Sequence, residues 1–359
     1  MRKYQEYRDE ARELTTGLCV LLAVAVVGTI VVSALALAGV AVFGSYAYVS
    51  ATTSIKMPLA HWYQLYLDRL AGAGVLTTLL VVGTALYKSY ALAEGGGRLV
   101  AKSVGGTRVS DSDQDPALGR LRNVVEELAI ATGMRSPPVY VLEDERAINA
   151  FAAGQSRTDA VVGVTRGAVD RLERSQLQGV LAHEFSHIVN GDIRLNIRLM
   201  GILTGIQAIF FVAQYLIRLG TRPSSGASRM AGGGKNPLGM LLALIFGAVI
   251  WPIGQIGSIF ALLITSAVNR QREFLADASA VQFTRDPYGL CEALAILLKD
   301  QVGSRMNGAA AKAASHMFFA AGDSWQRLFQ THPSLEERIR RLDPGSLTAD
   351  SLVALQQAP

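Results

Sequence analysis

Cysteine is nearly absent: Cys19 and Cys291 are the only two in 359 residues. A lone pair without CxxC spacing offers neither a disulfide framework nor a thiolate metal site, so both read as packing residues. Charge is scarce as well, at 18% of residues against 50% apolar, and it avoids whole stretches of chain. No charged side chain lies between Glu13 and Lys56, Arg69 and Lys88, Arg198 and Arg218, or Lys235 and Arg270. That excludes an ordinary soluble domain and makes a membrane protein the first reading. The same absence weighs against a transporter or channel, whose pathways are marked by intramembrane ionisable residues. The net charge of +5 is modest and no run of Lys or Arg is interleaved with aromatics, so no nucleic-acid partner is indicated. No internal repeat is visible.

What is there begins with four apolar blocks. The two shortest, residues 70–87 and 199–217, would span about 27 to 29 Å as helices, close to the hydrocarbon thickness of a bilayer. Ala34-Leu35-Ala36 could mimic a signal-peptidase site. The apolar run from Gly17 continues past it to Val42, and Glu6, Asp9, Glu10 and Glu13 mix acid into the amino-terminal region, which favours a retained anchor. Gly95-Gly96-Gly97 reads as a flexible hinge, with a soluble domain beginning near Leu99.

A helix is expected from Asp115-Pro116 to Gly133, then short strands over residues 139–142 and 160–164. Ser175 with Gln178 predicts a capping box that starts a helix at about Gln176, ending near Asn190-Gly191. Residues 220–236 read as a mobile loop, and Pro252 as a kink in the fourth apolar helix. Three helical patterns follow, over residues 271–283, 287–301 and 335–342, the last capped by Ser334 and Glu337. The expected fold is mainly α with a small β-sheet. Its expected parts are a membrane region with two transmembrane helices (1–98), a first catalytic part (99–198), two further apolar segments (199–268) and a second catalytic part (269–359).

One polar stretch carries chemistry: His183-Glu184-Phe185-Ser186-His187. At 3.6 residues per turn the two imidazoles share a helix face and can close on one zinc ion, while Glu184 reaches the metal's water rather than the metal. Catalytic zinc needs a third protein ligand. The metzincin pattern would put Gly and His where Asn190 and Ile193 stand, so that ligand comes from a distant segment. Among downstream carboxylates Glu273 stands out, on a charged helix directly after the fourth block, with Asp277 one turn on as a group that could orient a ligand.

HEFSH followed by Gly191-Asp192, the segment from Asn269 to Asp277, Asn-Ala-Phe-Ala at Asn149, Ala150, Phe151 and Ala152, and Thr331-His332-Pro333 occur in an order that resembles the HtpX family of membrane zinc metalloendopeptidases. The chain is similar, more distantly, to the prenyl-protein endopeptidases of the same superfamily. The resemblance implies a gluzincin-type catalytic domain with one zinc per chain bound by His183, His187 and Glu273. Glu184 would be the general base and Asp277 an orienting group. Asn149 to Ala152 would form the edge strand beside which substrate lies, and His332 would approach the site. The family clears damaged or misassembled membrane proteins, so such proteins and membrane lipid are the implied partners, and the implied place is a multi-pass position in the cell membrane with the catalytic domain cytoplasmic. Asn269 stands where serine is common, and Ser334 where a second proline is frequent; neither is a metal ligand.

Lys and Arg near the amino terminus, after the second block and at Arg194, Arg198, Arg270 and Arg272 place the catalytic part on the cytoplasmic side. Arg218, Arg222, Arg229 and Lys235 break that rule if blocks three and four both cross, so a shallower hairpin is the competing topology. An intramembrane protease of the site-2 type is disfavoured, because charge flanks HEFSH and no Asp follows Asn236-Pro237 before Asp277. A catalytically silent adaptor is disfavoured by the intact Glu184.

Overall fold

The computed structural model describes residues 2–53, 57–110, 112–221, 237–299 and 333–342. Their elements, in chain order, are α1 (Arg2–Thr52), α2 (Leu59–Ala93), α3 (Gly96–Ser103), β1 (Thr107–Arg108), α4 (Pro116–Thr132), β2 (Val139–Leu142), β3 (Ala150–Ala153), β4 (Val161–Thr165), α5 (Arg166–Arg171), α6 (Arg174–Asn190), α7 (Asp192–Thr221), α8 (Pro237–Thr284), α9 (Tyr288–Lys299) and α10 (Leu335–Leu342). The fold is mainly helical with one small mixed sheet, as the sequence predicts. The loop expected after α7 and His332 lie outside the described residues.

The chain divides into two compact units. One comprises Met1–Cys19, Ala91–Ile197 and Thr265–Pro359; the other comprises Val20–Tyr90 and Arg198–Ile264. In the second, helices α1, α2, α7 and α8 are each long and apolar enough to cross a membrane. Large apolar side chains such as Val24, Leu79, Leu86, Phe211 and Ile256 face outward there, the arrangement that lipid, not water, stabilises.

In the first unit the strand order is β1-β2-β4-β3, with β2 and β4 parallel and β3 antiparallel to β4 at the edge. Side-chain alternation splits β2, β3 and β4 between two cores. Val141, Ala152 and Val164 pack with α4, α6 and α9 in one core, while Tyr140, Phe151 and Val161 pack with Ala101 of α3 in the other. Covered on both faces, these three strands carry the near-continuous apolar runs of a buried sheet.

Three local expectations change. The glycines at 95–97 are not a hinge: Gly97 lies in α3, where a Cβ would come within 2.6 Å of the Ala153 carbonyl oxygen, so glycine serves close packing against β3. Helix α6 starts earlier than expected, because its box is formed by Glu173 and Gln176 rather than Ser175 and Gln178. Residues 271–283 are not a separate helix but the end of α8, which continues through Pro252. At Ser334 the hydroxyl caps α10 as read, accepting from the Glu337 amide at 3.2 Å.

Candidate metal centre

Helix α6 is buried along nearly its whole length, packed between α4, α9 and β3. It ends at Gly191, whose φ of 72° is the left-handed conformation glycine adopts without strain. The chain therefore turns sharply enough for Asp192, first residue of α7, to reach back to His187. Glu273 and Asp277 arrive from α8, one turn apart on one face.

These elements bring three donors together. The Nε2 atoms of His183 and His187 are 3.1 Å apart. Glu273 Oε2 is 3.5 Å from His183 Nε2, and its Oε1 is 3.7 Å from His187 Nε2. A tetrahedral ion with bonds of about 2.0–2.1 Å holds its ligand atoms about 3.3 Å apart. The spacings fit a single ion.

The far ring nitrogens are committed elsewhere. His183 Nδ1 is 2.8 Å from Asp277 Oδ1, and His187 Nδ1 is 2.7 Å from Asp192 Oδ2. Protons held on both Nδ1 atoms leave both Nε2 lone pairs aimed at the common point. Asp192 also pairs with Arg272, whose guanidinium donates to the Asn190 carbonyl at 3.1 Å.

Arg338 of α10 is 1% exposed and grips Asp277 with two hydrogen bonds, Nε to Oδ2 at 2.9 Å and a terminal nitrogen to Oδ1 at 2.6 Å. Its other terminal nitrogen lies 3.5 Å from Glu273 Oε2. Burial opposes the charge on Arg338, yet the carboxylates of Asp277, Glu273 and Glu184 hold its pKa above the ordinary arginine value. The carboxylates of Glu184, Asp192, Glu273 and Asp277 thus face the guanidiniums of Arg272 and Arg338. With neutral imidazoles the group carries two surplus negative charges, which a divalent cation neutralises.

Glu184 is 3% exposed. Burial raises its pKa above the usual carboxylate range, opposed by the two imidazoles, reinforced by Glu273 and opposed by a hydrogen bond from the Ala152 amide. That hydrogen bond ties Glu184 to the edge strand. Of the residues expected along that edge, Ala150, Phe151 and Ala152 lie in β3, while Asn149 precedes it. Asn149 turns its side-chain oxygen back to the Ala150 amide at 2.9 Å, and the Phe151 ring packs over Gly163.

Sequence reading missed two contributors. Asp192 was visible only as part of the stretch after HEFSH. Arg338 shares a helical stripe with Leu335, Ile339 and Leu342, at spacings of three and four that mark a buried face. A charged residue on that stripe was the available signal.

Residues 117–344 match the model for peptidase family M48. The chain is 38% identical over 225 residues to a protease HtpX homolog of Thermoanaerobacter pseudethanolicus, covering 62% of this chain and 70% of that protein. It is 32% identical over 279 residues to a protease HtpX homolog of Streptococcus pneumoniae serotype 19F, covering 77% and 88%. Among solved structures, Ste24p of S. mikatae is similar with a TM-score of 0.48 and 19% identity over 74% of this chain and 58% of that one.

Proposed function

Because the chain belongs to peptidase family M48 and its HtpX proteases, and is therefore a membrane metalloprotease, we propose that it is a zinc endopeptidase that cuts damaged or misassembled membrane proteins on the cytoplasmic side of the cell membrane. The observation carrying this reading is the convergence of His183, His187 and Glu273 at 3.1 to 3.7 Å, with both histidines oriented by carboxylates. One zinc per chain would be held by those three residues. Its contribution when bound is Lewis acidity, which polarises a scissile carbonyl and acidifies water.

The chain's own residues do the rest. Glu184 Oε accepts the proton of the attacking water and returns it to the departing amine. Asp192 and Asp277 keep the imidazole protons on Nδ1 throughout. β3 is the edge strand of the sheet, and an extended substrate would lie beside it, with Ala150 to Ala152 alongside the bond to be cut. Asn149 would set the entry to that strand. His332 remains a proposed neighbour of the site from the family resemblance.

Helix α7 starts two residues after α6 ends and enters an uncharged apolar stretch at Leu199. A site so close to a membrane segment favours chains already at the bilayer. In this proposal residues 99–198 and 269–359 form one catalytic domain interrupted by the membrane segments of 199–268. The lengths of α7 and α8 support full crossings over a hairpin. Single cysteines placed in residues 222–236 should then label from outside the cell; labelling from the cytoplasm alone would restore the hairpin.

The direct test is digestion of a loosely folded membrane protein by the purified full chain. Cleavage should stop with chelator, return with zinc and be lost in Glu184→Gln. Persistent cleavage by that variant removes Glu184 from the mechanism.

A further inference from the structure

We propose that the centre is flanked by a cationic subsite, built on Arg157 and Arg194, that receives an acidic side chain of the substrate two or three residues from the cleaved bond. This rests on the peptidase reading above and adds a specificity to it.

His187 is the exposed member of the donor set, its side chain 17% accessible against 1% for His183. The space beside it is an open cleft of about 250 Å³, between the turn that follows β3 and the junction of α6 with α7. That is below the size of a drug-sized ligand pocket and is room for a single side chain. Its charged lining, besides His187, is Arg157 from the turn and Arg194 from α7.

The turn is preorganised. Gly154 leaves β3 with a φ of 125°, and an added Cβ there would meet Ala160 backbone at 2.7 Å. The Asp159 carboxylate accepts from the Gln155 amide at 2.9 Å and from the amide and hydroxyl of Ser156 at 2.6 Å each. Arg157 then donates to the Val189 carbonyl at 2.8 Å, which fixes its guanidinium over the last turn of α6. Arg194 is exposed one turn into α7.

The carboxylates on the two elements that line the cleft, Asp159 and Asp192, are already engaged. Asp159 holds the turn, and Asp192 serves His187 and Arg272. The cleft therefore presents positive charge to whatever enters it, and a carboxylate is the substrate group that matches it. Position follows from strand geometry. Ala152 reaches Glu184 through its amide, and Gly154 lies two residues further along. At about 3.3 Å per residue this is roughly 7 Å, or two substrate residues from the reacting bond.

Arg194 stands five residues before the uncharged stretch that opens at Leu199, so a phospholipid phosphate is the rival occupant. The concave site beside His187, and the origin of Arg157 at the end of the substrate strand, favour the peptide.

The test uses the full chain in uncharged detergent, digesting an unstructured peptide library with cut sites mapped by mass spectrometry. Wild-type protein should enrich Asp and Glu at one fixed position two or three residues from the cut. For paired peptides carrying Glu or Lys there, Arg157→Glu with Arg194→Glu should shift the kcat/KM ratio toward Lys by about tenfold or more, while zinc content stays stoichiometric. The wild-type KM for the Glu peptide should rise with salt. Arg194→Glu alone, at an exposed helical position, should move the ratio the same way and covers the case in which the double variant misfolds. Absence of acidic enrichment, or an unchanged profile in Arg194→Glu and the double variant, overturns the subsite. So does an effect confined to vesicles containing anionic lipid, which would assign the arginines to the membrane. If the wild type cuts nothing in a chelator-sensitive way, the peptidase reading itself fails and the subsite falls with it.

Discussion

Glu184 is held in an environment that disfavours its ionised form. Burial raises its pKa, while the imidazoles and the Ala152 amide pull the other way. A carboxyl raised in the folded state stabilises the fold when protonated, and that contribution is lost as pH rises through the folded pKa. In metal-free protein at neutral pH, Glu184→Gln should therefore melt above wild type, with the gap closing as pH falls; scanning calorimetry across pH reads this. The same variant should keep stoichiometric zinc and lose activity by about 10² to 10⁴-fold or more. If the site holds zinc as proposed, Asp192→Ala should weaken its binding by about 10 to 100-fold, measured by chelator competition. HEFSH and Glu273 were readable as single residues because helical spacing and chemistry point to them directly. Arg338 was harder, since its role depends on α10 folding against Asp277 and Glu273, two residues more than sixty positions upstream.

The elements show how local rules give way to packing. Three consecutive glycines ordinarily signal flexibility, yet Gly97 is pressed between the carbonyls of Ala153 and Asp159 at 2.6 and 2.7 Å from an ideal Cβ. Gly97→Val should therefore destabilise the catalytic unit by about 1–3 kcal/mol, visible as a fall of a few degrees in its thermal transition. A true hinge would tolerate the change. The start of α6 moved for a related reason: the side chain of Gln176 satisfied the Glu173 amide at 3.0 Å, two residues before the expected cap. Strand β2 and helix α10 matched their expected bounds because β-branched content and a Ser-Glu cap left little competition.

For the molecule as a whole, the candidate metal site joins α6 to α8 across more than eighty residues of intervening chain. A bound ion should therefore stabilise the folded catalytic unit, by about 4 kcal/mol at a thousandfold excess over its Kd. Stripping the metal with chelator should lower the melting temperature by several degrees, and zinc should restore it. If removal leaves melting unchanged, no ion links these helices.

Composition by itself determined that the chain belongs in a membrane, because uncharged stretches of this length cannot be covered by so small a polar surface. Periodicity by itself put two histidines and a glutamate on one helix, since that follows from 3.6 residues per turn. Tertiary structure alone decided what surrounds them. That Asp192 orients His187, that Arg338 is buried against Asp277, and that Arg157 flanks the open side of the centre all depend on distant segments meeting. Such meetings are fixed by packing, which local spacing does not encode.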